Sequence, residues 1–326
     1  MAYKVVVGSR FFGKFAPEAE EILREAGCTL VRDPDALYLN EQRLLGLVPD
    51  ADAIITGVDP ITPPVLEAAG RLKIVAKHGV GVDNIDIPTA TRRGVIVSTA
   101  VGSNDTSVAE LAFALMLASA RRISVADRQV RTGTWPRFVG TELSGKTLGL
   151  VGLGRIGKGV ALRALAFGMK VVAYDVYQNA AFAAAHDIAY VPLDDLLAQA
   201  DFISVHVPLM ESTRYLIDEP QLRKMKPSAY LVNTSRGPVV REAALYKALK
   251  EGWIAGAALD VFEREPATGS PLLELANLIA TTHMGADTKE SHGRMSLACA
   301  RAVLAALHGE RPAHVVNPEV FETARG

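Results

Sequence analysis

Short apolar runs recur through the first hundred residues, and each is followed by a stretch whose apolar residues repeat every three or four positions. Such runs, rich in β-branched residues, are typical of buried parallel strands, and the stretches between them are typical of crossover helices. Prolines at positions 17, 63 and 64 mark helix starts. The predicted strands span residues 4–7, 29–32, 53–56, 73–76 and 95–98. This pattern predicts one α/β unit.

A second series of the same kind occupies the later part of the chain. Its predicted strands span residues 147–151, 170–174, 202–207, 229–233, 256–259 and 278–281. Because helical stretches separate these runs, the pattern predicts a second doubly wound parallel sheet. One long helix is predicted after it, over residues 288–308.

The segment between the two series has a distinct pattern. Residues 102–106 are turn-rich, and Ser107 and Glu110 have the spacing of a helix capping box, which predicts a helix start at this point. The helix body, residues 111–120, is apolar on nearly every face. We expect one side of this helix to pack on its own domain and another on a neighbouring domain or subunit, so a homodimer is expected.

Length and charge exclude several classes of protein. The chain has 326 residues, enough for two domains with sizeable cores. Thirty-five basic and 36 acidic residues give a formal net charge of -1, so no overall field attracts nucleic acid or an anionic membrane. The apolar stretch 108–120 is interrupted by Glu110 and is too short for a membrane crossing. No nucleic-acid or membrane partner is therefore expected.

The cysteines and the N-terminus indicate the compartment. Cys28 and Cys299 lie far apart and have neither metal-ligand nor redox spacing, which is typical of a reducing compartment. The first apolar run meets Gly8 too soon for a signal peptide. We expect a cytoplasmic protein without a metal.

Three glycines carry the strongest local signal. Gly152, Gly154 and Gly157 follow a predicted strand directly and precede a helical run, with Arg155 and Ile156 between them. In this pattern the first glycine makes a tight turn, the second lets the backbone approach a pyrophosphate, and the third lets helix pack on strand. The pyrophosphate then lies at the helix N-terminus, where free amides favour an anion. The motif predicts a dinucleotide site.

Asp175 strengthens this prediction. It ends the next strand, 18 residues after Gly157, close to the spacing of an acid that binds the cofactor ribose. A carboxylate there accepts hydrogen bonds from the ribose hydroxyls and repels a 2′-phosphate, and neither Val176 nor Tyr177 could neutralise one. NAD is therefore expected rather than NADP. The alternative is a glycine-rich turn without a ligand, with Asp175 a solvated loop residue.

Reactive side chains follow the later strands of the second series. Arg236 follows one strand, Asp260 and Glu265 follow the next, and His283 follows the last. Since the carboxyl ends of parallel strands share one edge of a sheet, we expect these groups to converge there.

Taken together, these segments resemble the D-isomer specific 2-hydroxyacid dehydrogenase family, and within it the phosphoglycerate dehydrogenases most. The matching segments are residues 77–86, 152–157, 206–209, 233–237, 260–266 and 283–285. The resemblance implies two α/β domains with an interdomain cleft. A flavodoxin-like substrate-binding domain is expected over residues 1–100 and 287–326, and a Rossmann NAD-binding domain over residues 101–286.

The resemblance also implies catalytic roles for three residues. Arg236 would bind the substrate carboxylate and polarise its carbonyl, His283 would be the general acid and base, and Glu265 would pair with the histidine. A planar guanidinium can grip a 2-oxo carboxylate through two parallel hydrogen bonds, which lysine cannot reproduce. A nearby carboxylate stabilises the imidazolium, so Glu265 would keep a proton available on His283.

Further contacts are implied for cofactor and substrate. Asp260 would hold the nicotinamide carboxamide, and the backbone amides of Val80 and Gly81, with Lys77 beside them, would hold the substrate. The implied cofactor-binding residues are Gly152, Gly154, Arg155, Ile156, Gly157, Asp175, His206, Val207, Pro208, Thr213, Thr234, Ser235, Asp260 and Gly285. Trp135 and Phe138 are expected in a core or a subunit contact. The histidines other than His283 have no recognisable metal spacing and are expected to be structural or at the surface.

Three positions depart from the pattern of phosphoglycerate dehydrogenases. Residues 56–59 lack the arginine common near the end of the third strand, which argues against a phosphorylated substrate unless Lys77 compensates. Arg241 stands where an aspartate commonly caps the next helix, so an N-cap worth about 1 kcal/mol would be missing. Thr282 replaces the proline that often precedes the catalytic histidine.

The activity expected from the resemblance is hydride transfer between NAD and a D-2-hydroxy acid/2-oxo acid pair, as in phosphoglycerate dehydrogenases. A hydroxypyruvate or glyoxylate reductase is the alternative. NAD-dependent corepressors, the C-terminal binding proteins, also resemble this family and remain a rival. Formate dehydrogenases carry glutamine where Glu265 stands, so Glu265 favours a hydroxy acid. Candidate substrates are 3-phosphoglycerate, glycerate with hydroxypyruvate, glycolate with glyoxylate, and D-lactate.

Overall fold

Two compact units make up the chain in its computed structural model, which describes residues 2–35 and 38–323. One unit contains the described residues up to Asn104 and those from Ala286 onward, and the other spans residues 105–285. The divisions expected from the sequence lie after residues 100 and 286.

The first unit is built around a parallel sheet with the strand order β2-β1-β3-β4-β5. Its apolar strands are buried on both faces, as expected of a sheet covered by helices on each side. The elements are β1 (Tyr3–Val7), α1 (Glu18–Glu25), β2 (Cys28–Val31), α2 (Glu41–Leu47), β3 (Ala53–Thr56), α3 (Pro63–Ala68), β4 (Ile74–Lys77), α4 (Ile87–Arg92) and β5 (Ile96–Thr99).

The second unit is a larger parallel sheet with the order β12-β11-β10-β9-β6-β7-β8. Successive strands are added on one side of β6 up to β8 and then on its other side from β9 to β12. The loop after β6 therefore lies at the switch point where α/β sheets bind ligands. The helices are α5 (Asp105–Ala120), α6 (Ile123–Arg131), α7 (Arg155–Ala166), α8 (Ala180–Ala185), α9 (Leu193–Gln199), α10 (Glu219–Leu222) and α11 (Glu242–Lys250). The strands are β6 (Thr147–Val151), β7 (Lys170–Tyr174), β8 (Ala189–Tyr190), β9 (Phe202–Val205), β10 (Tyr230–Asn233), β11 (Gly256–Leu259) and β12 (Leu278–Ala280).

The chain then returns to the first unit. The long helix α12 (Lys289–Leu307) is capped by the side chain of Thr288, whose hydroxyl accepts from the Ser291 amide, and α13 (Val320–Thr323) follows it. Both sheets with their interleaved helices confirm the α/β class predicted from the apolar runs. Within the described residues, no helix combines the length and the apolar character that a bilayer crossing requires.

Helix α5 differs from its prediction in two ways. It begins at Asp105, so Ser107 is a helical residue and not the predicted cap. The carboxylate of Asp105 lies in the first turn, where it complements the helix dipole, and it pairs with Arg155 at 2.5 Å. The apolar residues Ala112, Phe113 and Met116 are buried in the core of their own unit. The apolar character of α5 is thus largely explained by packing within the second unit.

Trp135 is not a core residue. Its side chain is 83% exposed, so the expectation of core packing is wrong for this residue. Phe138 is partly buried, with Arg122 above its ring at 4.9 Å. The expectation of a subunit contact stays a prediction for both.

Candidate active site

The glycine motif forms the turn between β6 and α7. Gly152 has a φ of 101°, which glycine adopts without strain. A Cβ at Gly157 would lie 2.2 Å from the Gly152 carbonyl oxygen, so this position needs glycine for close packing. A Cβ at Gly154 would meet nothing within 4 Å, and Gly154 is exposed. The middle glycine therefore leaves open space at the N-terminus of α7, which fits a pyrophosphate held by backbone amides.

Asp175 lies at the end of β7, next to this turn. Its Oδ2 accepts a hydrogen bond from the Leu153 amide at 2.8 Å, and its Oδ1 accepts from the Tyr177 amide at 2.9 Å. These bonds fix the carboxylate beside the glycine turn while the side chain stays partly exposed. Arg155, by contrast, extends from α7 toward Asp105 and pairs with its carboxylate.

Two orphaned polar atoms lie along the same sheet edge. Within the described residues, the buried atoms Thr234 Oγ1, after β10, and His206 Nδ1, after β9, have no hydrogen-bond partner. The other ring nitrogen of His206 lies 2.8 Å from Ser204 Oγ, and burial lowers the pKa of His206 to about 4, so this ring is neutral. Buried polar groups without a partner are costly, which fits a site that a polar cofactor completes.

The segment after His206 is held by Thr213. The Thr213 hydroxyl donates to the Pro208 carbonyl at 2.6 Å and accepts from the Met210 amide at 2.7 Å. These bonds close the loop that begins at Val207. Residues 206–213 thus form one ordered wall at the end of β9.

Arg236 is positioned by Asn233, the fully buried last residue of β10. Asn233 Oδ1 accepts from both the amide and the hydroxyl of Ser235, at 3.0 and 2.8 Å, and its Nδ2 donates to the Arg236 carbonyl at 3.0 Å. This one amide side chain therefore fixes the turn that carries the guanidinium. Sequence reasoning missed this role of Asn233, although a polar residue ending an apolar strand was a signal for it.

Glu265 and His283 form a hydrogen-bonded pair. His283 Nδ1 lies 2.7 Å from Glu265 Oε2, and Glu265 Oε1 accepts from the Phe262 amide at 3.0 Å. Both side chains stay partly exposed, at 47% for His283 and 37% for Glu265. Because Nδ1 is engaged by the carboxylate, Nε2 is the ring atom that remains for chemistry.

Burial favours the neutral form of Glu265, but its neighbours favour the ionised form. Burial acts to raise the pKa of Glu265, whereas the hydrogen bonds from His283 and Phe262 and the charges of His283 and Arg236 lower it, and the net pKa is below its ordinary value. The charges of Arg236 and His283 therefore both act on this carboxylate. The three groups that the sequence singled out are thus electrostatically coupled at this edge of the sheet.

Asp260 holds the turn that carries His283. Its carboxylate is buried and accepts from Thr281 Oγ1 at 2.6 Å, from the Met284 amide at 2.9 Å and from the Gly285 amide at 2.8 Å. Its carbonyl accepts from the His283 amide at 2.8 Å. His283 itself has a φ of 54°, an uncommon backbone conformation for a residue with a side chain. Asp260 thus stabilises the His283 turn, a role that the sequence analysis did not foresee.

The predicted substrate residues lie in the first unit, after β4. Lys77 is buried, and its ammonium donates to Asn84 Oδ1 at 2.6 Å and to the Gly57 carbonyl. Val80 is exposed and Gly81 is partly buried. The loop that begins at Lys77 is therefore tied to the end of β3 through its first side chain.

Fold and site together define a class of protein. A parallel sheet with a glycine turn at its switch point, an acid ending the next strand and a histidine–carboxylate pair at the same edge is the apparatus of an NAD-dependent dehydrogenase. The match to a family model agrees with this: residues 113–285 match the D-isomer specific 2-hydroxyacid dehydrogenase, NAD binding domain.

Comparison with known proteins gives the same family. The chain is 48% identical to a glyoxylate reductase of Korarchaeum cryptofilum over 84% of its own length and 85% of that protein. It is 50% identical to a D-3-phosphoglycerate dehydrogenase of Mycobacterium bovis over 85% of its own length, but the match spans only 53% of that relative. A D-lactate dehydrogenase from Aquifex aeolicus, solved with NAD and lactic acid, superposes with a TM-score of 0.84 at 30% identity, covering 96% of this chain and 99% of that one.

The chain belongs to the D-isomer specific 2-hydroxyacid dehydrogenase family. It is an NAD-binding oxidoreductase of the kind that acts on CH–OH donors, and the resemblance, fold class and cofactor expected from the sequence are confirmed.

Proposed function

We propose that this enzyme reduces a small, unphosphorylated 2-oxo acid of the glyoxylate or hydroxypyruvate class, with Arg236, Glu265 and His283 as its catalytic residues. The hydrogen bond between His283 and Glu265 carries the catalytic part of this proposal. The hydrogen bonds and burial of Asp59 support the choice of an unphosphorylated substrate.

Each of the three catalytic residues has a separate role in the proposed reaction. Arg236 binds the substrate carboxylate through two parallel hydrogen bonds and draws electron density from the adjacent carbonyl. His283 donates the proton on Nε2 to the carbonyl oxygen as the carbonyl becomes an alcohol, and Glu265 stabilises the imidazolium before the transfer. NADH supplies the hydride when bound. In the oxidation direction His283 accepts the proton instead, and so must start neutral.

The proposed cofactor-binding residues lie at the same edge of the sheet. The amides after Gly152 would bind the pyrophosphate, Asp175 the ribose, and the orphaned Thr234 hydroxyl and His206 imidazole would complete the polar contacts. Val207, Pro208 and Thr213 would border the cofactor, with Ser235 and Gly285 beside the catalytic residues. Asp260 would hold the nicotinamide carboxamide while it holds the His283 turn. In the first unit, Lys77 and the amides of Val80 and Gly81 would bind the substrate.

Asp59 supports an unphosphorylated substrate. It is 1% exposed, and its oxygens accept from the Leu39 amide at 2.9 Å, the Gly57 amide at 3.0 Å and Thr56 Oγ1 at 3.0 Å. A buried carboxylate thus lies after β3, at the place where phosphoglycerate dehydrogenases commonly have an arginine. An acid in that place supplies none of the attraction that an arginine would offer to a dianionic phosphate.

Gly8 and Lys77 show how firmly this arrangement is built. A Cβ at Gly8 would lie 2.3 Å from Asp59 Oδ2, so the carboxylate occupies the space a side chain would need. Asn84 Nδ2 donates to the Asp59 carbonyl at 2.6 Å, and its Oδ1 accepts from Lys77. Lys77 is therefore committed to this network, which weakens its case as a substitute phosphate ligand.

A substrate panel with NADH tests the proposal. Glyoxylate and hydroxypyruvate should be reduced with kcat/KM at least tenfold above that for phosphohydroxypyruvate. Preference for the phosphorylated acid would favour the phosphoglycerate dehydrogenase alternative. Absence of turnover on every acid, with NADH still bound, would favour the corepressor-like alternative.

We also propose a cytoplasmic homodimer. Helix α6 has no buried residue, and Ile123, Val130, Trp135 and Val139 in and after it are exposed, which supports a second copy as the partner of this surface. The buried free thiols of Cys28 and Cys299 support a reducing compartment. Light scattering should give a dimer that Trp135→Glu dissociates, and a monomer at micromolar concentration would contradict the proposal. Cell fractionation tests the compartment.

A further inference from the structure

The backbone on either side of Phe262 contacts the segments that carry two of the catalytic residues. The Phe262 amide donates to Glu265 Oε1 at 3.0 Å. On the other side, a Cβ at Gly237 would lie 1.9 Å from the carbonyl carbon and oxygen of Phe262, so Gly237, the neighbour of Arg236, packs directly against this peptide. Phe262 therefore lies between the two. Its N–H, in the peptide with Val261, binds the Glu265 carboxylate, and its carbonyl, in the peptide with Glu263, packs on the guanidinium turn.

The Phe262–Glu263 peptide is held from outside the site by an exchange of hydrogen bonds between two glutamates. The Glu263 amide donates to Glu242 Oε1 at 2.5 Å, and the Glu242 amide donates to Glu263 Oε1 at 2.8 Å. The second oxygen of Glu263 accepts from the Tyr215 hydroxyl at 3.3 Å. Each glutamate thus binds the backbone amide of the other, although 21 residues separate them along the chain.

The same exchange supplies the cap that α11 lacks. Arg241, the N-cap residue, makes no capping hydrogen bond with its side chain, which instead pairs with Asp218 at 2.7 Å. Glu263 binds the first amide of the helix in its place, so the start of α11 is joined to the active-site segment. The missing cap expected from Arg241 is compensated from a distant part of the chain.

This pairing brings like charges together. Burial, followed by the charges of Glu263 and Glu265, raises the pKa of Glu242. Two carboxylates that repel each other and a third are held in contact by their backbone hydrogen bonds, and the repulsion opposes folding. A role in stability alone does not explain such an arrangement, whereas fixing the backbone of Phe262, which contacts both the Arg236 turn and Glu265, accounts for it.

We infer that Glu242 and Glu263 are positioning residues of the reductase site. They act through the Phe262–Glu263 peptide and the adjoining Phe262 N–H on the spacing of Arg236 and Glu265. This inference rests on the proposed function, because it presupposes that these two residues meet the substrate. Neither glutamate touches a reacting atom in this account.

Variants of Glu263 with a matched helix control test the inference. Glu263→Ala removes the acceptor, whereas Glu263→Gln keeps an oxygen for the Glu242 amide. Lys247→Gly weakens α11 at an exposed position that does not contact the peptide. The readouts are kcat/KM for the best acid of the panel, the Kd of oxamate for the enzyme–NADH complex, and the Kd of NADH.

The expected pattern is specific. Glu263→Ala lowers kcat/KM and weakens oxamate binding at least tenfold with NADH affinity unchanged, Glu263→Gln restores both to within threefold, and Lys247→Gly leaves both unchanged. The double variant Glu242→Ala/Glu263→Ala loses no more than the worse single variant, since both act through one peptide. Unchanged oxamate binding in Glu263→Ala, an equal loss in Lys247→Gly, or additive losses in the double variant would overturn the inference. Because oxamate binding needs no turnover, these results are separate from a failure of the proposed reaction.

Discussion

His283 Nδ1 and Glu265 Oε2 lie 2.7 Å apart, although 18 residues separate them in sequence. The bond directs the opposite ring nitrogen, Nε2, toward chemistry and couples the charge of the imidazole to that of the carboxylate. The electrostatic causes that lower the pKa of Glu265 are the same ones that keep it ionised when His283 carries a proton. The pH dependence of the reaction follows from this pair.

Carbonyl reduction should weaken as pH rises, because His283 must be protonated to donate, whereas alcohol oxidation should improve. Glu265→Gln keeps a hydrogen-bond acceptor for His283 but removes the charge that stabilises the imidazolium. The reduction rate at neutral pH should therefore fall about 10- to 100-fold in this variant. Single-turnover rates between pH 5 and 9 measure this, and superimposable profiles would contradict the role of Glu265.

The glycine turn predicts different outcomes for its second and third glycines. Gly154→Ala meets no atom, so the melting temperature should fall by no more than a few degrees while NADH affinity drops about tenfold. Gly157→Ala places a methyl group 2.2 Å from the Gly152 carbonyl and should destabilise the unit by about 1–3 kcal/mol. Calorimetry and NADH fluorescence titration compare the two. Equal NADH affinity in Gly154→Ala and wild type would show that no pyrophosphate approaches this residue.

Asp175 should select NADH over NADPH. Its carboxylate is fixed beside the glycine turn by the Leu153 and Tyr177 amides, so a 2′-phosphate would meet a negative charge. Asp175→Asn keeps an acceptor and loses the charge, and the preference for NADH should narrow by roughly 10- to 100-fold in kcat/KM. Asp195→Asn, an exposed position on α9, is the control. Wild-type preference for NADPH would refute this assignment.

His78 predicts loss of stability in acid. Burial, with a smaller effect of the charge of His292, lowers its pKa to about 3, so the folded protein keeps it neutral while the unfolded chain protonates it below its ordinary value near 6.5. Stability contributed by this difference is present above pH 6.5 and lost as pH falls toward 3. The wild-type melting temperature should drop by roughly 5 °C more between pH 7 and 5 than that of His78→Gln.

The Gln variant keeps a donor for Ser296 Oγ, which lies 3.0 Å from His78 Nε2. His308→Gln, at an exposed position, is the control and should follow wild type. If His78→Gln also follows wild type across this range, the buried imidazole is not the acid-sensitive group.

The sequence was most informative where one kind of interaction dominates. Buried parallel strands have apolar sequences, so the two sheets were predictable. Strand β8 was missed because its two residues are too few to show a periodicity. The start of α5 was misplaced because a capping-box spacing at Ser107 competes with the true first turn at Asp105. Local patterns fix the type of an element better than its ends.

The sequence likewise predicted some residues of the candidate site and not others. Arg236, Glu265 and His283 were recognisable because each follows a strand at the shared edge. The supporting contacts of Asn233, Asp260 and Glu263 were not, since they depend on backbone amides whose directions only the folded turns define. The replacement of the missing Arg241 cap by Glu263 is an example, because no pattern of neighbouring residues in the sequence predicts a contact between residues so far apart.

The most direct test of the account is the single-turnover rate of hydride transfer from bound NADH to glyoxylate in the wild type and in His283→Asn. The account predicts that the variant binds NADH with wild-type affinity and transfers hydride about 10²- to 10⁴-fold more slowly, because the proton donor is gone. Transfer at the wild-type rate, with chemistry limiting, would contradict it.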